Sequence, residues 1–140
     1  MSARKRFAES PSRARVVLVV DDDDMIRRLV RTVLEADDLE VIDVPDGPSA
    51  LRAVATLGPD GNPAPTVVVL DVMMPGMDGI EVCRQIDHSL VKVVMLTARD
   101  DPDIEARAKD AGADEFLTKP FGSIELLDLV ERLLTEQGAA

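Results

Sequence analysis

The chain has no tryptophan, no tyrosine and only three phenylalanines in its 140 residues. It therefore cannot offer the ring platforms on which unstacked bases are held, and direct nucleic-acid binding by this domain is not expected. Its core has to be built from Val, Leu, Ile, Met and Ala. Cys83 is the single cysteine, which excludes a disulfide and a thiolate metal site and fits a reducing, cytoplasmic compartment. His88 is the single histidine and lies in a polar turn, so no phosphohistidine or metal role is assigned to it. Long apolar runs are missing too. Val16–Val20 falls far short of the roughly 20 residues that span a bilayer, and no apolar stretch follows the N-terminal charges as a signal peptide requires.

Positive charge is scarce beyond the first residues. The net charge is −11. Residues 1–15 hold Arg4, Lys5, Arg6, Arg13 and Arg15 against Glu9, so +4 sits there and −15 on the rest. An acidic body repels nucleic-acid phosphates and membrane surfaces, and it suits a domain that binds cations. Residues 1–14 read as a basic, disordered leader, 15–137 as one domain large enough to close a single core, and 138–140 as a tail.

Short β-branched runs alternate with helical patterns five times. Val16–Val20, Glu40–Val44, Thr66–Leu70, Val91–Leu96 and Glu115–Thr118 read as strands, several of them continuously apolar as in a sheet covered on both faces. Between and after them, Asp24–Ala36, Gly47–Leu57, Gly79–Ile86, Pro102–Ala111 and Ser123–Thr135 read as helices. In the first of these, Met25, Ile26, Leu29, Val30, Val33 and Leu34 form the apolar stripe, with Arg27, Arg28 and Arg31 outside. Gly58–Pro65 reads as a polar loop. Such alternation implies a parallel sheet with right-handed crossovers and helices on both faces. Ligands of such sheets sit beyond the carboxyl ends of the strands. Those ends carry Asp21 and Asp22 after the first strand, Asp71 after the third, Thr97 after the fourth and Lys119 after the fifth.

Two carboxylates about 5 Å apart repel by roughly 3 kcal/mol at an effective dielectric near 20, so such a cluster persists where a cation offsets it. An all-oxygen donor set suits Mg2+, with Mn2+ as a substitute. A metal, a lysine ammonium and a hydroxyl beside a carboxylate can stabilise a transferring phosphoryl group, and the carboxylate can be its nucleophile. Taken singly, each residue has an ordinary explanation: an Asp run caps a helix, Thr97 ends a strand, Lys119 is a surface cation. Their joint arrival at one sheet edge favours the site, while Asp23 and Asp24 read as solvated loop residues, one of them capping the first helix.

The segments VVLVVDDDD (16–24), LDVMMPGMDG (70–79), VVMLTA (93–98) and FLTKPF (116–121) together resemble the response-regulator receiver family of two-component signalling, over nearly everything from Val16 onward. The resemblance implies an α/β, doubly wound, flavodoxin-like single domain with five parallel strands in the order 2-1-3-4-5. It implies phosphorylation of Asp71 and a metal held by Asp22, Asp71 and the Met73 carbonyl, with Asp21 acting mainly through water. It further implies Thr97 and Lys119 as phosphoryl-binding groups, Phe116 as the aromatic switch and a cis Lys119–Pro120 peptide. Expected partners are a sensor histidine kinase or phosphotransfer protein, an unidentified downstream protein and, on phosphorylation, a second copy of the chain; no membrane is expected. No output domain is read after the last helix, which suggests a stand-alone regulator or an excised receiver.

Two rival functions compete with this one. A metal-dependent phosphatase with an aspartate nucleophile would need a second Asp two residues after Asp71, where Met73 stands. An interaction module independent of phosphorylation would typically have lost an acid, the Thr or the Lys. Cys83 reads as a buried small hydrophobe, Met73 and Met74 as loop packing, and Gly79 and Gly112 as backbone-geometry residues.

Overall fold

The computed structural model describes residues 15–98 and 101–139. Strands β1 (Val16–Val20), β2 (Glu40–Val44), β3 (Pro65–Asp71), β4 (Lys92–Thr97) and β5 (Glu115–Thr118) pair in parallel in the order β2-β1-β3-β4-β5. Helices α1 (Asp24–Glu35), α2 (Gly47–Ala55), α3 (Gly79–Arg84), α4 (Pro102–Asp110) and α5 (Ser123–Ala139) make the connections. Strand order reverses between β1 and β3, which opens a crevice at their carboxyl ends.

Alternation of side chains divides the apolar strands between two cores. Leu18, Val20, Val68, Leu70, Val93 and Met95 pack with Ala50 of α2, Ile80, Val82 and Cys83 of α3 and Ala108 of α4. Val17, Val19, Val67, Val69, Val94 and Leu96 pack with Val30 and Leu34 of α1 and Leu126, Val130 and Leu133 of α5. The central strands β1, β3 and β4 are thus apolar on both faces through their middles, because each pleat faces a layer of helices.

Local chemistry starts the helices. Asp23 caps α1 by accepting from the amides of Met25 and Ile26, Asp46 caps α2, Asp78 caps α3 and Asp101 caps α4. Pro48 and Pro102 occupy the first turns of α2 and α4, where no amide is needed.

Several sequence expectations are corrected. Leu57 is not helical: α2 stops at Ala55, and Leu57 bridges Pro63 while Ala64 donates to the Thr56 carbonyl at 2.8 Å. The Gly/Pro-rich loop is thus a small hairpin that takes over the chain end of the helix. α3 ends two residues early because Asp87 turns the chain, its carbonyl accepting from Leu90 and Val91. α5 continues to Ala139, past Thr135. In α1 only Val30 and Leu34 are fully buried; Met25 is 79% and Leu29 49% exposed. Arg27, expected outside, is half-buried against β1 and β2. The leader assigned to residues 1–14 lies outside the described residues. Among those described, no helix is long and apolar enough to cross a membrane.

Candidate functional site

The carboxyl edge of the sheet gathers side chains from distant parts of the chain. Asp21 follows β1 directly and is fully buried, Asp22 beside it is exposed, and Asp71 is the buried last residue of β3. One carboxylate oxygen from each of the three lies within 4.8 Å of the others. Lys119, just past β5, donates from Nζ to Asp21 Oδ2 at 3.1 Å and to Asp71 Oδ1 at 3.3 Å. Thr97 ends β4 at the same edge, buried, and its carbonyl accepts from the Lys119 amide at 2.6 Å. The Lys119–Pro120 peptide is cis, as expected.

Charge is concentrated here and only part of it is balanced. Burial, and then the neighbouring Asp21 charge, push Asp71 up to about 6, against the pull of Lys119 and the Met73 amide. Burial alone would lower Lys119, but Asp71 and Asp21 outweigh it and hold the ammonium above its ordinary value. Three acids against one lysine leave negative charge at the cluster. Their donors are all oxygens, with Asp22 open to solvent. That donor chemistry fits a hard divalent cation such as Mg2+.

Met73 and Phe116 need finer placement. The Met73 side chain is 67% exposed rather than packed in the loop, whereas Met74 is buried. Phe116 pairs in register with Met95 and is half-buried against the core beneath α2, α3 and α4. Cys83 is buried as expected. His88 is less solvated than its polar neighbours suggest: its Nε2 donates to the Cys83 carbonyl at 2.7 Å.

Two further residues support the site: Arg27, which the sequence placed on the outer face, and Gly79, which it read as a backbone-geometry residue without indicating what it approaches. Arg27 donates to the Asp21 carbonyl at 2.7 Å; its place in the apolar helix pattern marked it only as outward-facing. Gly79 lies so close to the Asp71 backbone that any side chain would collide with it, a proximity that no local pattern encodes.

The pattern of the response regulator receiver domain matches residues 17–131. The transcriptional regulatory protein CseB of Streptomyces avermitilis is 42% identical over 125 residues, which cover 89% of this chain and 51% of that protein. The response regulator MprA of a Mycobacterium species is 42% identical over 120 residues, covering 84% of this chain and 50% of the relative. The chain thus spans about half the length of these curated relatives. Among solved structures, the chemotaxis protein CheY4 of Vibrio cholerae superposes with a TM-score of 0.76 at 31% identity, covering 86% of this chain and 98% of that one. A five-stranded parallel sheet in this order, an aspartate triad at its carboxyl edge and these relatives agree: the chain belongs to the response-regulator receiver family, a signalling phosphoacceptor domain rather than a true enzyme.

Proposed function

We propose that the domain over residues 15–137 accepts a phosphoryl group onto Asp71 from the phosphohistidine of a sensor histidine kinase or phosphotransfer protein. The observation that carries this reading is the convergence of Asp21, Asp22 and Asp71 within 4.8 Å, with Lys119 bridging Asp21 and Asp71. An Asp71 carboxylate oxygen attacks phosphorus as the P–N bond to the donor imidazole breaks, and that ring nitrogen takes up a proton; the product is an aspartyl phosphate. Lys119 pairs its ammonium with the incoming phosphoryl oxygens, and the Thr97 hydroxyl donates to one of them. Asp22, Asp71 and the Met73 carbonyl would hold Mg2+ directly, with Asp21 mainly through water and Mn2+ as a substitute. Bound there, the ion would neutralise charge on the transferring group. Hydrolysis of the acyl phosphate resets the domain.

Movement of Thr97 toward the phosphoryl group leaves space that Phe116 fills, which remodels the face made by α4, β5 and α5. Phe116 has no hydroxyl, so packing alone sets its inward position. The remodelled face engages a downstream protein or a second copy of the chain. Incubation with a radiolabelled small acyl phosphate and Mg2+ tests the reading. Label should enter the wild type and Asp23→Asn, because Asn also caps a helix, and should be lost in Asp71→Asn. Equal labelling of the two variants overturns the assignment. Measuring association of the chain with and without beryllium fluoride reports the switch.

A further inference from the structure

The turn after β1 presents four consecutive aspartates, Asp21 to Asp24, a run whose mutual repulsion opposes any single geometry. Asp21 itself is well anchored. Its amide donates to the Val44 carbonyl at 3.3 Å, its Oδ1 accepts from the Asp23 amide at 2.9 Å and its carbonyl accepts from Arg27 Nη1 at 2.7 Å. The same guanidinium donates from Nε to Asp43 Oδ2 at 2.9 Å and from Nη2 to Asp24 Oδ1 at 2.6 Å. One planar group therefore ties the end of β1, the start of α1 and the carboxyl end of β2 together, with its side chain only 16% exposed. Three directed bonds of this kind require the rigid fork of arginine; a lysine ammonium on a flexible stem cannot hold all three.

We infer that Arg27 is a positioning residue of the cation site, its guanidinium holding the Asp21 carbonyl so that the Asp21 and Asp22 carboxylates keep the spacing a divalent ion requires. The inference rests on the reading of the aspartate triad as a cation site. Outer partners of this kind typically change metal affinity by about 10- to 100-fold. The sign of the effect separates positioning from charge. Removing a cation beside a cation site should tighten Mg2+ binding if charge were all that Arg27 contributed, whereas loss of positioning weakens it.

Arg31, one turn further along α1, supplies a matched control. It also pairs with Asp43, and with Glu35 at 3.0 Å, and its bonds run to those two residues. Mg2+ titration by calorimetry should show Arg27→Gln and Arg27→Lys each binding about tenfold or more weakly than wild type, and Arg31→Gln within about twofold. Arg27→Lys keeps the charge and so separates lost positioning from lost charge, and a native far-UV spectrum of each variant excludes simple unfolding. In Mg2+-free protein, the Asp23 amide, which donates to Asp21, should exchange with solvent faster in both Arg27 variants and not in Arg31→Gln. Unchanged or tighter Mg2+ binding in Arg27→Gln, or full affinity in Arg27→Lys, overturns the inference. If wild type binds no Mg2+ while the exchange pattern holds, the cation reading fails and the anchoring of the turn by Arg27 stands. If exchange is unaffected, the anchoring fails with it.

Discussion

A β-carbon on Gly79 would stand 2.2 Å from the carbonyl oxygen of Asp71 and 2.9 Å from its carbonyl carbon. The first residue of α3 is thereby pressed against the backbone of the residue proposed to carry the phosphoryl group, and the Gly79 amide donates to the Val72 carbonyl at 2.9 Å. Because the obstacle is backbone, it cannot rotate away. Gly79→Ala should cost about 1–3 kcal/mol by overpacking and, by shifting Asp71, should slow phosphorylation at fixed Mg2+. Urea melts together with acyl-phosphate labelling check both; a variant equal to wild type in both would show that the contact relaxes freely.

The acidic cluster gives stability a definite pH dependence in Mg2+-free protein. Asp71 stands at about 6 in the fold against 3.8 ordinarily, first because it is buried and then because Asp21 repels its charge. The folded state holds this proton more tightly than the unfolded one. The contribution of Asp71 to stability is therefore greatest below about pH 4 and is lost as pH rises through about 6. Asp71→Asn, which cannot ionise, should exceed wild type by roughly 1–3 kcal/mol near pH 7.5, with the gap closing toward pH 4. Denaturant melts in chelator at both pH values provide the measurement, and a variant less stable than wild type near pH 7.5 would reverse the sign argued here.

Magnesium should relieve the same repulsion. If the ion binds only the folded form, stability rises by about 1.4 kcal/mol at ten times Kd. Asp22→Asn should abolish most of that gain while leaving the metal-free melting temperature nearly unchanged, because Asp22 is exposed. A melting curve insensitive to millimolar Mg2+ would count against the pocket.

Cys83 should be inert in the native protein. Its side chain is fully buried in α3, and burial first, then the charge of Asp114, push the thiol up to about 12 against the opposing effect of Arg84. Near pH 8 an aromatic disulfide reagent should react only as fast as the domain opens and completely in urea. Rapid stoichiometric reaction in native buffer would contradict the packing around Ile80 and Ile86.

Much of the fold was legible because its signals are local or periodic. Val16–Val20 and Glu40–Val44 form strands with the bounds read from their β-branched pattern, and the aspartate run after β1 caps α1 as expected. Helix ends were less legible. Leu57 and Ile86 continue apolar patterns, yet a hairpin bridge and the Asp87 turn claim the backbone at those points. Arg27 was misplaced for a related reason. Helical periodicity assigns a residue to a face, but a long guanidinium can lie back across the face and find partners on neighbouring strands.

The amino-acid order alone determined which residue types stand at the strand ends: Asp21, Asp22, Asp71, Thr97 and Lys119, each placed by strand periodicity and the chemistry of helix starts. Only the tertiary structure decided how they relate. Residues 48 and 98 positions apart in the chain meet through Lys119 because β1 and β3 pair side by side and β5 returns along the same sheet. Burial and repulsion between Asp21 and Asp71, the support of Arg27 and the close approach of Gly79 are all distances between elements. Distance across a sheet is set by packing, and no local pattern of residues contains it.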